Sequence, residues 1–229
     1  KVITKYPYTA NYSVKANTNI HILKLALEEG LNCDAMSVGE ITLLLKAGFP
    51  VERIFFVPNN VSSDELQFAL EKGVMTSLDS LSQLELFGKT CDSMNIQPEN
   101  RKCAVRINPG VGAGHHEKVV TGGKKTKFGI AEYDIPQIFL IAAKYNIRIA
   151  GINQHIGSLF MDPQPYLDAV KNLLRIAHDF KDLDFIDFGG GYGIPYHKLD
   201  DEKDFPMEDF KARLEPILDE FVKSYGKAP

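Results

Sequence analysis

The sequence predicts an α/β fold on a parallel sheet, and three observations carry that reading. Short, nearly continuous apolar runs alternate with helical patterns along the chain, as strands covered on both faces require. Several helix starts place a serine three residues ahead of a carboxylate or amide, the pattern of a reciprocal cap. Several helix ends are followed by glycine, which enters the left-handed region without steric cost.

In chain order, the first strand is Ala10–Lys15, followed by a helix over Ile20–Glu29 that stops at Gly30. The second strand, Cys33–Met36, leads through the box Ser37–Glu40 into a helix over Glu40–Ala47 that stops at Gly48. The third, Arg53–Val57, leads through Ser62–Glu65 into Glu65–Lys72 and Gly73. The fourth, Val74–Leu78, is followed by the box Ser80–Gln83. The fifth, Cys103–Ile107, opens onto a long glycine-rich insertion, Asn108 to Lys127. The sixth, Arg148–His155, precedes a helix over Pro165–Ala177 with Leu167, Val170, Leu174 and Ala177 on one face. The seventh, Phe185–Phe188, precedes a last helix at Phe210–Tyr225. Strand, short loop and capped helix, repeated, means βαβ units. No linker divides the seven units, so residues 1–229 read as one domain. Seven units suit an open doubly wound sheet or a (β/α)8 barrel, and their number and similar size favour the barrel, one unit short.

Composition narrows the function classes. With 44% hydrophobic and 24% charged residues, the 229-residue chain is globular, and a net charge of −4 argues against a nucleic-acid partner. No apolar run approaches the roughly 18 residues of a membrane span. Cys33, Cys91 and Cys103 lack C-x-x-C spacing, so neither a disulfide framework nor a zinc knuckle is indicated, and a reducing, cytoplasmic setting is expected. The chain begins at Lys1 without Met, and the natural N-terminus is expected to lie further upstream.

Ligands of parallel α/β folds bind at the carboxyl ends of the strands. There the first strand carries Lys15 in otherwise apolar surroundings. One reading is a lysine snorkelling to solvent. The other is a desolvated lysine whose neutral amine forms a Schiff base with a carbonyl. The sixth strand ends in His155-Ile156-Gly157-Ser158, either a hydrogen-bonded core histidine or one beside an anion site. The seventh runs into Gly189-Gly190-Gly191-Tyr192-Gly193-Ile194-Pro195, a backbone nest for phosphate or a plain tight turn. A dinucleotide fingerprint fails, because Ile194 stands where its third glycine belongs, and this disfavours an NAD oxidoreductase. In the insertion, His115 and His116 have no carboxylate or cysteine at a useful spacing, so no metal is expected. A Walker A loop fails there too. Loops this long are usually functional, and the insertion reads as a lid or as a solvated basic loop.

Several motifs then agree. Tyr12-Ser13-Val14-Lys15-Ala16-Asn17 with Asn19, Asp34-Ala35-Met36-Ser37 with Gly39-Glu40, and Arg106-Ile107-Asn108-Pro109 occur in order. They are followed by Thr121-Gly122, Lys127-Phe128-Gly129-Ile130, His155-Ile156-Gly157-Ser158 and the glycine run ending in Ile194-Pro195. Together they resemble the fold-type III pyridoxal-phosphate decarboxylases, most closely those acting on diaminopimelate, over essentially the whole chain. The resemblance implies a TIM-like, alanine-racemase-like barrel and the cofactor pyridoxal 5'-phosphate. It implies Lys15 as the covalent anchor of the cofactor and His155 as the residue stacked on its ring, these two being the catalytic candidates. Ser158, Gly189, Gly190 and Gly191 match phosphate contacts, and Asp34 and Arg106 match polar residues near the ring.

The same resemblance implies decarboxylation of meso-diaminopimelate to L-lysine, a step of lysine biosynthesis. Ornithine, arginine and carboxynorspermidine decarboxylases, or a non-catalytic cofactor-binding homologue, are the alternatives. The family's eighth strand with its Glu-Pro-Gly-Arg segment, its C-terminal β-domain and the elements ahead of the lysine strand have no counterpart in this sequence. A chain truncated at both ends and a homodimer of the full-length protein are therefore expected, with no nucleic-acid or membrane partner.

Overall fold

The computed structural model describes residues 5–108, 110, 128–196 and 203–229. Among them, β1 (Asn11–Ser13), β2 (Asn32–Ala35), β3 (Ile54–Phe56), β4 (Met75–Leu78), β5 (Lys102–Arg106), β6 (Arg148–Asn153) and β7 (Phe185–Asp187) follow one another in sheet order as in the chain. The pairs β1–β2, β2–β3, β3–β4, β4–β5 and β6–β7 are parallel. The helices are α1 (Ile20–Glu28), α2 (Val38–Ala47), α3 (Ser63–Lys72), α4 (Leu81–Ser93), α5 (Ile135–Tyr145), α6 (Gln164–Ala177) and α7 (Met207–Tyr225). Seven βα repeats on a parallel sheet are the predicted α/β class.

The chain falls into two compact units. One consists of Thr9–Arg106 and Asp134–Ala150. Its core is made by Val14, Leu23, Cys33, Ala35, Ile41, Leu44, Phe56, Leu66, Leu84, Phe87 and Ile138, all fully or almost fully buried. The other draws its described residues from Lys1–Tyr8, Ile107–Tyr133 and Gly151–Pro229. There Phe160, Tyr166, Tyr192, Phe205 and Phe210 pack with ring centroids 5.1 to 5.9 Å apart, in the edge-on and offset arrangements that aromatic quadrupoles favour. The far end of α7 is tied down as well, since Lys5 Nζ lies 2.7 Å from Asp219 and the Tyr6 hydroxyl donates to the same carboxylate.

The glycine stops at Gly48 and Gly73 are helix caps, and Gly30 follows the cap of α1. The hydroxyl starts need correction. Only Ser62 and Glu65 make the reciprocal box, with Ser62 N–H donating to Glu65 at 2.9 Å. Ser37 does cap α2, but Glu40 reaches back one residue further and accepts from Met36 N–H at 2.7 Å. Ser80 caps α4 while the Gln83 side chain turns inward and donates to the Val61 carbonyl at 3.1 Å, where a buried amide needs a partner. Strand ends also differ. The first strand stops at Ser13, and Val14–Ala16 forms a 3-10 turn closed by Asn17 N–H on the Val14 carbonyl. The sixth stops at Asn153, so His155 stands on the following loop. Helix α5 lacks the punctuation of the others: Asp134 makes no side-chain cap, and Asn146 rather than glycine takes the left-handed position at its end.

α4 and α5 approach closely because Gly88 leaves room. A Cβ there would overlap the Tyr145 ring. Helix propensity alone would favour alanine by about 1 kcal/mol, but overpacking typically costs about 1–3 kcal/mol. Gly88→Ala is therefore expected to lower the thermal unfolding midpoint. An unchanged or raised midpoint would mean that the two helices yield at no cost.

Candidate active site

In the first unit, three predicted site residues sit at strand carboxyl ends. Lys15 is exposed on the 3-10 turn, while its neighbour Val14 is buried. A desolvated lysine within a strand is thus corrected: closing the turn one residue after β1 aims Val14 into the core and Lys15 outward. The turn is braced on its far side, where Asn17 Oδ1 accepts from Asn19 N–H and Asn19 caps α1 through His21 N–H, both at 2.9 Å. Asp34 pairs in register with Ser13, whose hydroxyl donates to Oδ2 at 2.8 Å. Oδ1 of Asp34 is buried and has no hydrogen-bond partner among the described residues. Burial pushes this carboxyl above its ordinary range, against the opposing pull of the Ser13 hydroxyl and the Lys15 charge. Arg106, at the end of β5, is only 7% exposed and donates from Nη1 to Asn59 Oδ1 at 3.3 Å.

In the second unit, the loops after β6 and β7 are locked together. Gln154 N–H donates to the Asp187 carbonyl at 3.0 Å, Phe160 N–H to the Gly191 carbonyl at 3.2 Å, and Gly193 N–H to the Phe160 carbonyl at 2.8 Å. His155 and Ser158 are half-buried on the first of these loops. Gly189 and Gly191 both require glycine: their φ values are +74° and +103°, and a Cβ would overlap the carbonyl oxygens of Gln154 and Gly157 respectively. Gly189 N–H donates to Asp187 Oδ1 at 2.8 Å, and its carbonyl accepts from the buried Tyr166 hydroxyl at 2.9 Å. The Gly189 amide is therefore committed to its own turn. Those of Gly190 and Gly191 donate to no described residue, and a Cβ at Gly190 would meet nothing within 4 Å. Two amides without a partner among the described residues, on a loop held by aromatic rings and open beside Gly190, suit a phosphate ester.

Sequence reasoning missed Asn59, whose Oδ1 accepts from Arg106, Asp79, which follows β4, and Tyr166, which anchors the glycine run. An acidic residue between a strand end and a capping serine was a usable signal for Asp79. Of the insertion, only Asn108 and Gly110 are described. Thr121, Gly122, His115, His116 and Lys127 lie outside the described residues. Its return is described: Asn108 N–H donates to the Ile130 carbonyl at 2.9 Å, and a Cβ at Gly129 would crowd the Asn108 amide. Among the described residues, no group of three or more His, Cys, Asp or Glu could hold a metal ion.

Comparison with known proteins gives one family. The model of the pyridoxal-dependent decarboxylase, pyridoxal binding domain, matches residues 2–228. The diaminopimelate decarboxylase of Methanothermobacter thermautotrophicus is 41% identical over 220 residues, covering 94% of this chain and 50% of that protein. The diaminopimelate decarboxylase of Staphylococcus aureus is 32% identical over 224 residues, covering 96% of this chain and 51% of its own length. The chain thus spans about half the length of these curated relatives. Among solved structures, that of Helicobacter pylori diaminopimelate decarboxylase complexed with L-lysine superposes with a TM-score of 0.87 at 29% identity, covering 95% of this chain and 55% of that one. The Vibrio vulnificus lysine/ornithine decarboxylase, at 22% identity and a TM-score of 0.76, shares the fold.

Proposed function

The chain belongs to the pyridoxal-dependent decarboxylases through their pyridoxal-binding domain, and we propose that the protein decarboxylates meso-diaminopimelate to L-lysine. The observation that carries this reading is the 41% identity to a diaminopimelate decarboxylase over 94% of the chain. The fold is accordingly the (β/α)8 TIM-like type, with seven βα units among the described residues.

The residues present fit pyridoxal 5'-phosphate. Two unengaged amides at Gly190 and Gly191 suit its phosphate, and the unpartnered Asp34 Oδ1 suits a polar group of its ring. When bound, the cofactor supplies the electron sink for the pair released as the carboxylate departs. Lys15, exposed on a braced turn, would hold the cofactor through its Nζ. Ser158 and the glycine run orient the phosphate, with Gly189 acting through the conformation it imposes. His155 covers one ring face, and Arg106 and Asp34 hold polar groups at its edge. Fixing phosphate and ring face leaves the scissile bond to be set perpendicular to the ring, which is a task of orientation.

Residues 1–229 are taken as a single cofactor-binding barrel domain, in keeping with one family model over residues 2–228. The same reading includes a homodimer and a cytoplasmic setting. For the latter, all three cysteines are free and buried, and burial pushes the thiols of Cys33 and Cys91 up to about 12 and about 11. No helix among the described residues is long and apolar enough to cross a membrane.

A site that pairs with a distal amine and carboxylate leaves those groups unmet when a differently ended substrate binds, which gives large discrimination. Meso-diaminopimelate is therefore expected to show a kcat/KM at least about a hundred-fold above lysine, ornithine and arginine, within the about 10⁴–10⁵-fold that unmet buried polar groups can reach. Equal or better turnover of ornithine or arginine would reassign the substrate.

A further inference from the structure

Gly189 is held on both sides. Its N–H donates to Asp187 Oδ1 at 2.8 Å, and its carbonyl accepts from the Tyr166 hydroxyl at 2.9 Å. Tyr166 is the third residue of α6 and only 2% exposed. Its ring packs against those of Phe160, Tyr192 and Phe210, with centroids 5.4, 5.1 and 5.5 Å away. Burial pushes its phenol well above the ordinary range, so the hydroxyl stays protonated and remains a donor.

The carbonyl of Gly189 and the amide of Gly190 belong to one planar, trans peptide group, so they point in opposite directions. A hydrogen bond that holds the carbonyl toward Tyr166 therefore holds the Gly190 N–H on the other side, away from that ring. The constraint matters because glycine flanks the group on both sides. With no Cβ to restrict φ and ψ, the peptide plane is otherwise free to rotate. The Gly190 amide donates to no described residue, and a Cβ at Gly190 would meet nothing within 4 Å.

We propose that Tyr166 is a positioning residue for the phosphate site, whose hydroxyl sets the Gly189–Gly190 peptide plane so that the Gly190 amide is presented to the cofactor phosphate. The proposal rests on the reading of the glycine run as a phosphate site and deepens it. Tyr166 touches no cofactor atom in this account. Its donation also polarises the peptide, which strengthens the opposite N–H as a donor. An amide oriented in the empty protein need not be ordered on binding, and affinity gains by that saving.

The test compares two probes, pyridoxal phosphate and pyridoxal, which lacks the phosphate. Dissociation constants are read from the visible absorbance of the bound form, for the full-length protein and its Tyr166→Phe, Gly190→Val and Tyr166→Phe/Gly190→Val variants. Tyr166→Phe keeps the ring and removes one oxygen. It is expected to weaken pyridoxal phosphate about three- to ten-fold, the scale of one hydrogen bond, and to leave pyridoxal binding as in the wild type. A merely structural hydroxyl would weaken both probes alike or neither. Because Tyr166 acts through the amide that Gly190→Val blocks, losing the hydroxyl in that background is expected to cost no further affinity. Unchanged pyridoxal-phosphate affinity in Tyr166→Phe, equal losses for both probes, or additive losses in the double variant would each overturn the proposal. So would loss of the fold in Tyr166→Phe, because the hydroxyl would then serve the fold. A wild-type protein that takes up no pyridoxal phosphate would instead overturn the function on which the proposal rests, and the proposal with it.

Discussion

Lys15→Ala is expected to abolish the covalent pyridoxyl adduct that borohydride fixes in the wild-type protein, and with it nearly all turnover. The effect should be local. Lys15 is exposed on its 3-10 turn, and the turn is held by Val14 in the core and by the Asn17 and Asn19 bonds, none of which uses the lysine side chain. The unfolding midpoint of the cofactor-free variant should therefore equal that of the wild type, while turnover falls by at least about the 10²–10⁴ range associated with losing one positioned proton-transfer group. Peptide mapping after reduction places the adduct. A pyridoxyl mass on the peptide containing Lys15 is the expected result. A mass retained on another lysine in Lys15→Ala would remove Lys15 from the chemistry.

The second large effect separates two neighbouring glycines. Gly190→Val puts a side chain where nothing of the protein lies within 4 Å of the first added carbon, so the fold should tolerate it. The added methyls instead occupy the approach to the Gly190 and Gly191 amides. Cofactor binding is expected to weaken at least ten-fold, about 1.4 kcal/mol, with the cofactor-free unfolding midpoint unchanged. Gly191→Ala should do the reverse. Its Cβ would overlap the Gly157 carbonyl at φ +103°, and the left-handed conformation alone costs a non-glycine residue about 1–2 kcal/mol. A drop in the cofactor-free midpoint is expected there. Unchanged cofactor affinity in Gly190→Val would reduce the glycine run to a turn.

These two sites show what a sequence carries and what it leaves to tertiary structure. The βα rhythm was legible because α2 and α3 have hydroxyl starts and glycine stops, each a local solution to unpaired backbone groups. α5 was silent because it uses neither device. Lys15 was assigned to the right strand end with solvent and burial both open, and a single 3-10 turn, which sends one side chain inward and the next outward, places it at the surface. The glycine run was recognisable, yet which of its amides remain available depends on Asp187 folding back onto Gly189, an i to i+2 bond that the Asp-x-Gly spacing foreshadowed. The partner of Arg106 was not legible: Asn59 stands 47 residues away in the chain and meets it only because parallel strands end side by side.

The most direct measurement is product formation by protein first stripped of pyridoxal phosphate and then reconstituted, with CO2 and L-lysine both quantified from meso-diaminopimelate. The stripped protein should release no CO2, and added cofactor should restore release with one lysine formed per CO2. CO2 release that is indifferent to the cofactor, or a reconstituted protein that binds pyridoxal phosphate and yields no lysine, would contradict the assignment.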